Sequence, residues 1–315
     1  MNNYKLIGLL VLLFLLCNFA ISAQPKQYKS VTRTLKNAQT LDMANMKISY
    51  SLEFVPDSTE ARKKWKDKKI LLIGETVQHF YSQYSRMQDS VVTNATKDYR
   101  PYSPPAGETA ERYDIYSNFP ESKRTVVENN MTFNMYLYKE DLTEFIWEIT
   151  GESMTILDYL CYKAVCTYRG RIWEVWFTMD IPINAGPWKF RGLPGLIMKA
   201  SDERQHYVFE CTGIEKLKKP EPILMYEGAY PSAVNPDFKY TREMYLKALL
   251  DFHENYLNSL LSMGYNVRVF DDSGKLLESL NTTNTTWEDQ KVSYGTTINA
   301  RDKYRKIPYN PIELE

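Results

Sequence analysis

Paired carboxylates are the side chains in this sequence whose chemistry is easiest to formulate. Two acids on opposite sides of a substrate can serve as the general acid and the general base of a hydrolase. Glycosidases hold these two groups about 5 to 9.5 Å apart, and no spacing in the sequence fixes such a separation. Ordinary surface charge is the default for such residues. The candidates are Glu148, Glu152, Asp180, Asp202 and Glu203.

Metal-binding and nucleophile motifs are missing from the sequence. The three histidines are His79, His206 and His253, and none has a second ligand at a metal-binding spacing. There is no Gly-x-Ser-x-Gly elbow, no P-loop and no dinucleotide fingerprint. We therefore predict no metal site, no cofactor and no catalytic residue, and we expect a protein that is not an enzyme.

The cysteines predict buried thiols rather than a reactive group. Cys161 and Cys166 lie on one predicted strand about 16 Å apart, which is too far for a disulfide. Cys211 could pair with either of them, and the sequence leaves that pairing open. Free cysteine is often buried as a small apolar side chain, and we favour that interpretation.

An aromatic segment between two glycine–proline turns is the strongest candidate for recognition. It runs from Trp173 to Ala200, with the sequence WEVWFTMDIPINAGPWKFRGLPGLIMKA. Pro194 favours a β-turn, and Gly195 would supply the positive φ of a type II turn, while Gly192 would allow a close backbone approach. The alternative is a structural staple over the end of a sheet. The predicted binding residues are Trp173, Trp176, Trp188, Phe190, Gly192, Leu193, Pro194 and Gly195.

The hexapeptide from Gly192 to Ile197, GLPGLI, resembles the defining signature of the GLPGLI family of Gram-negative bacteria. The residues from Tyr309 to Leu314 also resemble the tail of that family. The resemblance implies a secreted protein of the cell envelope, and it implies no particular reaction. Because the family is associated with outer-membrane nutrient uptake, the resemblance also implies a TonB-dependent transporter as a partner.

The N-terminal residues predict export. Residues 1–23 have the pattern of a signal peptide, with Lys5, an apolar run from Leu6 to Ala20 and a small-residue cleavage site ending at Ala23. The apolar run is shorter than the roughly 20 residues that span a bilayer. The chain carries 39 Lys and Arg against 39 Asp and Glu, and this balance argues against a nucleic-acid binder. We expect a periplasmic or outer-membrane-associated protein.

Strand patterns dominate the sequence after the predicted signal peptide. Clean apolar alternation from Lys47 to Val55 predicts a half-buried strand. The basic run from Arg62 to Lys69 is interpreted as a solvated connector, residues 82–95 as a helix, and residues 97–124 as a proline-containing excursion outside the core. Short strands separated by short turns are predicted at 132–138, 145–149, 154–168, 171–179, 196–200 and 205–214.

The predicted fold is mainly β, with a curved antiparallel sheet that is a meander, an open half-barrel or a sandwich. One long helix, from about Thr241 to Met263, would pack its apolar stripe on that sheet. The predicted organisation is a signal peptide at 1–23 and an antiparallel β domain at 24–215. A proline-rich extension, the helix and a C-terminal hairpin and tail would occupy 216–315.

These patterns support three hypotheses about function. The first is an exported, non-enzymatic binding or accessory protein whose contact surface is the loop 186–197. The second is a carrier of lipid or another apolar ligand, which would need a cavity lined by Trp173, Trp176 and neighbouring tyrosines. The third is a hydrolase that uses the dispersed carboxylates.

Overall fold

The structure is a computed structural model that describes residues 38–94, 104–109, 111–131, 134–226, 240–262, 266–271, 273–280, 295–299 and 310–313. The predicted signal peptide lies outside these residues. The strands of the larger sheet are β1 (Ala38–Phe54), β2 (Trp65–Ile73), β3 (Gln78–Ser82), β4 (Tyr113–Ser117), β5 (Arg124–Met131), β6 (Asn134–Asp141), β7 (Glu148–Ile156), β8 (Tyr159–Tyr168), β9 (Arg171–Thr178), β10 (Leu196–Asp202) and β11 (Tyr207–Tyr226). A smaller sheet contains β12 (Asn266–Phe270), β13 (Leu276–Leu280) and β14 (Gly295–Asn299), and the helices are α1 (Gln83–Thr93), α2 (Arg242–Glu254) and α3 (Tyr256–Ser262).

The larger sheet consists of two antiparallel meanders that meet at its two longest strands. Its strand order is β6-β5-β4-β3-β2-β1-β11-β10-β9-β8-β7. β1 pairs with β11 from Ala38 opposite Tyr226 to Phe54 opposite Tyr207. Three register shifts interrupt this pair, and such irregularities bend and twist a sheet. The prediction of a mainly β, antiparallel fold is confirmed.

The larger sheet is strongly curved. In a flat sheet of eleven strands, the edge strands β6 and β7 would lie about 48 Å apart at about 4.8 Å per strand. Residues 142–147 connect these edges, and so short a segment reaches at most about 25 Å. The two edges therefore approach each other, although the sheet is not closed. One buried cluster, which includes Tyr50, Phe80, Tyr138 and Trp173, fills the inside of the curve.

The first strand and the first helix follow their predicted patterns. Ile48, Tyr50 and Leu52 are buried along β1, whereas Ser51 between them is exposed. This alternation places one face of β1 on the core. The helix predicted at residues 82–95 is α1.

The prediction of one long C-terminal helix is wrong. α2 ends at Glu254 and α3 begins at Tyr256, because Asn255 between them leaves the helical conformation with φ −129° and ψ 48°. Asparagine favours such breaks since its side chain competes with helical backbone hydrogen bonds. The shorter α2 still contacts the sheet, and Tyr245 stacks on Tyr138 of β6 with ring centroids 5.9 Å apart. No helix in the described part of the chain is long and apolar enough to cross a membrane.

Two segments predicted to lie outside the core belong to the sheet. β2 begins within the basic run, and its Asp67 and Lys69 are buried. β4 lies within the predicted excursion 97–124 and pairs with β3 and β5. Four of its five residues are buried, so β4 lacks the alternation that marks a half-exposed strand.

The predicted strand at 154–168 is a hairpin of β7 and β8. Its turn is formed by Leu157 and Asp158, which have φ values of 48° and 67°. Turns that need positive φ at both positions are usually marked by Asn or Gly. Leucine at the first position explains why the sequence gives little signal for this turn.

Candidate ligand-binding cavity

The loop 179–195, between β9 and β10, folds into the interior of the curved sheet. It is tied to β10 by the N–H of Ile197, which donates to the carbonyl oxygen of Ala185 at 2.9 Å. It is tied to the β6–β7 connection by Trp147, whose indole N–H donates to the carbonyl oxygen of Arg191 at 2.7 Å. These bonds hold the loop between β10 and the connection that joins the two edge strands.

The two glycines of the hexapeptide have roles opposite to those predicted. Gly192, rather than Gly195, has the positive φ, at 95°. A Cβ on Gly195 would overlap the carbonyl oxygen of Thr178, so this glycine is the one that permits a close backbone approach. The predicted type II turn with positive φ at Gly195 is therefore wrong. The hexapeptide locks the end of the loop against the end of β9.

Trp188 and Phe190 are buried inside the curved sheet, with 5% and 2% of their surface exposed. Phe190 packs edge to face on Trp173 with ring centroids 4.8 Å apart, and Trp188 lies 5.8 Å from the same ring. Trp188 adopts a φ of 55°, which is unusual for a bulky residue. The loop thus fills much of the core with its aromatic side chains.

The predicted binding residues do not share one surface. Trp176 is half-buried on the face of β9 opposite to the buried Trp173, because successive strand residues alternate. Leu193 is buried, whereas Gly192 and Pro194 are exposed. A binding role for these residues stays a prediction.

Lys189 is a buried cation between the two aromatic residues of the loop. Its Nζ lies 2.5 Å from Glu140 Oε1 and 2.6 Å from Glu313 Oε1. Burial acts to lower the pKa of Lys189, but Glu313 and Glu140 hold it above its usual value. Arg242 of α2 completes the group, with Nη2 2.5 Å from Glu313 Oε2. Two cations and two anions therefore join β6, the loop, α2 and the C-terminal residues.

Arg171, at the start of β9, also holds the C-terminal residues. Its Nη1 pairs with the buried Asp202 at 2.6 Å. Its Nη2 donates to Asn310 Oδ1 at 2.7 Å and to the carbonyl oxygen of Pro311 at 2.6 Å. Its Nε donates to the carbonyl oxygen of Ile312 at 3.1 Å. A planar guanidinium suits such simultaneous contacts, and these contacts seat the C-terminal residues beside the loop.

A cavity of about 300 Å³ lies between β4–β6, α2 and the C-terminal residues. Small-molecule sites occupy roughly 300 to 1,000 Å³ and are mostly apolar with a few polar groups. The exposed Arg112 lies on the solvent side of this cavity, and Leu246 and Leu249 of α2 cover it. Its aromatic lining consists of Phe54, Tyr113, Tyr138, Trp188, Tyr207 and Tyr245. Of the predicted binding residues, Trp188 is the one that lines it.

Glu111 and Tyr113 are polar residues of the cavity lining. Burial raises the pKa of Glu111 to about 7, against the opposing effect of the Lys69 cation 3.8 Å from its Oε2. Lys69 also pairs with Asp67 at 3.0 Å and lies 4.0 Å above the ring of Tyr113. Burial, followed by the negative charge of Glu111, raises the pKa of Tyr113 well above its usual value. The Tyr113 hydroxyl and the Glu111 carboxylate also interact with each other through a side-chain hydrogen bond.

The carboxylates considered for hydrolysis do not converge on this cavity. Asp202 is bound to Arg171, and Glu152 pairs with Lys163 at 3.1 Å on the surface. The remaining candidates, Glu148, Asp180 and Glu203, are exposed. In the part of the chain that the structure describes, no group of three or more His, Cys, Asp or Glu could hold a metal ion.

The three described cysteines are buried and unbridged. Burial raises the pKa of Cys161 and Cys211 to about 11 and that of Cys166 to about 12. Thiolates, rather than thiols, are nucleophilic, so these groups are poorly reactive at neutral pH. The prediction of buried thiols is confirmed.

The sequence analysis missed the polar cavity residues Glu111 and Tyr113, and the buried pair Asp67 and Lys69 beside them, because these residues lie in segments assigned to the surface. Asp67 and Lys69 belonged to the supposed connector, and Glu111 and Tyr113 to the supposed excursion. One signal could have found the first pair. Asp67, Lys69 and Leu71 are spaced two residues apart on β2, so their side chains lie on the same face, which is the face that meets the core.

Comparison with known proteins adds little beyond this geometry. Residues 169–199 match a family described as a protein of unknown function, Porph_ging, and this segment contains Arg171, Lys189 and the hexapeptide. No curated protein matches the chain in sequence. Two crystal forms of PNGF-II are similar in structure, each at 18% sequence identity. The P21 form has a TM-score of 0.38 and covers 56% of this chain and 29% of PNGF-II. The C2 form has a TM-score of 0.39 and covers 55% of this chain and 28% of PNGF-II. The chain thus spans less than a third of PNGF-II, and similarity at this level carries no functional argument.

Proposed function

We propose that this protein is an exported, non-enzymatic binding protein of the cell envelope that holds a small, largely apolar ligand in the cavity beneath α2. The supporting observation is the cavity itself, about 300 Å³ in volume, with an aromatic wall to which Glu111 and Tyr113 add polar side chains. An apolar wall with a few convergent polar groups is typical of a ligand site. Export rests on the N-terminal sequence pattern.

The helix α2 supports this function because it covers the cavity with side chains that are not fully buried. Tyr245, Leu246 and Leu249 line the cavity and are only half-buried. A ligand would remove more of their apolar surface from water, and burial of such surface favours binding. For a ligand of roughly ten heavy atoms, we expect a dissociation constant on the order of 10 µM to 1 mM.

The loop 186–197 would support ligand binding from inside the curved sheet, by forming part of the cavity wall and by fixing the elements around it. Trp188 forms part of the cavity wall, and Lys189 fixes the C-terminal residues and α2 through Glu313. The aromatic side chains would reach another protein only if the loop left the interior. The TonB-dependent transporter implied by the resemblance is therefore proposed as a recipient of the ligand rather than as a partner of Trp188 and Phe190.

A pair of leucine variants on α2 tests the proposal. Leu249 lines the cavity, whereas Leu250 beside it is 44% exposed and does not. Leu249→Trp should occupy the cavity and weaken binding of naphthalene, measured by titration calorimetry, by at least about tenfold. Leu250→Trp should leave binding unchanged. Equal binding to both variants, or no binding to the unmodified protein, would contradict the proposal.

A further inference from the structure

A groove of about 520 Å³ lies between three connections of the larger sheet. Its walls are the β4–β5 turn at residues 118–123, the first residues of the β6–β7 connection and the loop 179–195. The groove shares no lining residue with the cavity beneath α2. It is therefore a second candidate site, and it does not depend on the function proposed for the cavity.

Hydrogen bonds fix the three walls of this groove relative to one another. The N–H of Leu142 donates to the carbonyl oxygen of Lys123 at 2.9 Å, which joins the β4–β5 turn to the β6–β7 connection. The indole N–H of Trp147 donates to the carbonyl oxygen of Arg191 at 2.7 Å, which joins that connection to the loop. A ligand would therefore meet groups that are already positioned, which lowers the entropic cost of binding.

Arg191 is a cation of this groove without a counter-charge. It is half-buried, and its guanidinium makes no hydrogen bond or ion pair with any residue that the structure describes. Burial lowers the pKa of Arg191 below its usual value, and no carboxylate in the described part of the chain opposes that effect. In contrast, Lys189 and Arg171 are both paired with carboxylates. Removing a charge from water without a partner is costly, and an anionic ligand would recover part of that cost.

The guanidinium of Arg191 can offer two of its three nitrogens to a ligand. Nη1 is closed to solvent and takes no part. Nε and Nη2 remain, and two such nitrogens bind the two oxygens of a carboxylate side by side. In the same loop, the N–H of Gly192 donates to Asn184 Oδ1 at 2.5 Å. This bond fixes the orientation of the Asn184 amide and leaves its NH₂ group as a further donor in the groove.

The remaining lining favours an organic monoanion. Its charged residues are Arg191, the exposed Lys123 and the exposed Glu144, so the lining carries one net positive charge. A single negative charge on the ligand balances this lining, whereas a phosphate dianion would leave an excess negative charge. Leu142 and Phe145 add half-buried apolar surface, and contact with the apolar body of a ligand would remove that surface from water.

We infer that this groove binds a small organic carboxylate. The carboxylate group pairs with Arg191, and Lys123 and the amide of Asn184 make weaker contacts with it. The apolar body of the ligand lies against Leu142 and Phe145. The groove thus adds a second, charged class of ligand to the largely apolar one proposed for the cavity beneath α2.

A series of small probes tests the inference on the full chain. NMR titrations at low salt would compare benzoate with benzamide, which has the same shape but no charge, and with acetate and inorganic phosphate. Benzoate should bind with a dissociation constant on the order of 1 mM. It should bind at least about tenfold more tightly than benzamide, because charge-assisted hydrogen bonds are about twice as strong as neutral ones. It should also bind more tightly than acetate, which lacks a ring, and than phosphate.

Four variants locate the site. Arg191→Gln should weaken benzoate binding by at least about tenfold without lowering the melting temperature, because it removes a half-buried charge that has no partner. Lys123→Gln should weaken binding by only about twofold to threefold, because water and salt screen an exposed charge. Arg169→Gln is the matched control, since Arg169 is also half-buried but lies outside the groove. This control and Leu249→Trp, which fills the other cavity, should both leave benzoate binding unchanged.

Several results would overturn the inference. These are an absence of benzoate binding, equal binding of benzamide and benzoate, and an Arg191→Gln variant that binds benzoate as tightly as the unmodified protein. Tighter binding of phosphate would indicate a phosphate ligand, and equal binding of acetate would mean that the apolar body makes no contact; each would overturn the class of ligand. Loss of benzoate binding in Leu249→Trp would place benzoate in the cavity and would also overturn the inference. Because naphthalene tests the cavity and benzoate tests the groove, failure of one proposal is distinguishable from failure of the other.

Discussion

Replacement of Glu111 by Gln should make the protein more stable above neutral pH. In the folded chain, burial raises the pKa of Glu111 from 4.5 to about 7. Between these two values, the folded chain holds a proton on Glu111 that the unfolded chain has released. Stability therefore falls as pH rises from about 4.5 to 7 and then levels off. Glutamine does not titrate, so the variant lacks this contribution.

The magnitude follows from the two pKa values. A pKa of about 7 in place of 4.5 corresponds to about 3 kcal/mol of lost stability once Glu111 is fully ionised. The Glu111 side chain is 22% exposed, and water that reaches it weakens the effect. We therefore expect Glu111→Gln to be more stable than the unmodified protein by about 1–3 kcal/mol at pH 8 and equally stable near pH 4.5.

Urea unfolding of both proteins at intervals between pH 4.5 and 8 would measure this difference. The difference in unfolding free energy is the informative quantity, because the other carboxylates contribute equally to both curves. Glu121→Gln serves as the control, since its side chain is 63% exposed. A difference that stays constant across this pH range would refute a raised pKa of Glu111. A variant that is less stable at pH 8 would mean that the carboxylate stabilises Lys69 by more than its burial costs.

Three further predictions concern the loop, the C-terminal residues and the thiols. Gly195→Ala should lower the unfolding free energy by at least about 2 kcal/mol because its Cβ overlaps the carbonyl oxygen of Thr178. Gly213→Ala should cost less than about 1 kcal/mol, because its Cβ would make only an ordinary contact of 4.0 Å with Ser49 Cβ. Similar losses in the two variants would contradict the close approach at Gly195. Glu313→Gln should lower the unfolding free energy, measured by chemical denaturation, by about 3 kcal/mol, because it leaves the buried cations Lys189 and Arg242 without a full counter-charge. Glu203→Gln, at an exposed position, should change the unfolding free energy little. An unchanged stability of Glu313→Gln would mean that the C-terminal residues are not held as described. The three described cysteines should resist a thiol reagent at neutral pH until the protein is unfolded, because burial raises their pKa values to about 11 or 12; rapid labelling of the native chain would count against their burial.

The strands with one exposed face were predictable from the sequence, and those with two covered faces were not. β1 was found from the alternation of Ile48, Tyr50 and Leu52 with polar residues. β4 was missed because both of its faces are covered, so that no alternation remains. The hairpin turn at Leu157 was missed because positive φ was imposed on a residue that seldom adopts it.

The candidate site was predictable only in part. The aromatic loop was singled out, and it contributes Trp188 to the cavity wall. The polar part of the cavity lining includes Glu111, which pairs with Lys69 of β2, 42 residues away in sequence. The helix α2, which covers the cavity, is held by the pair between Arg242 and Glu313, and Glu313 also pairs with Lys189, 124 residues away in sequence. Contacts at such separations are set by sheet order and curvature, and no local pattern encodes them.

Native mass spectrometry of the protein purified from its own envelope tests the central claim most directly. We predict that a fraction of the chains carries one non-covalently bound small molecule, and that Leu249→Trp loses this molecule while Leu250→Trp retains it, because Leu249 lines the cavity and Leu250 does not. A native chain of the bare polypeptide mass under conditions that preserve weak complexes, or a bound molecule that both variants retain equally, would contradict the assignment of this cavity as the ligand-binding site.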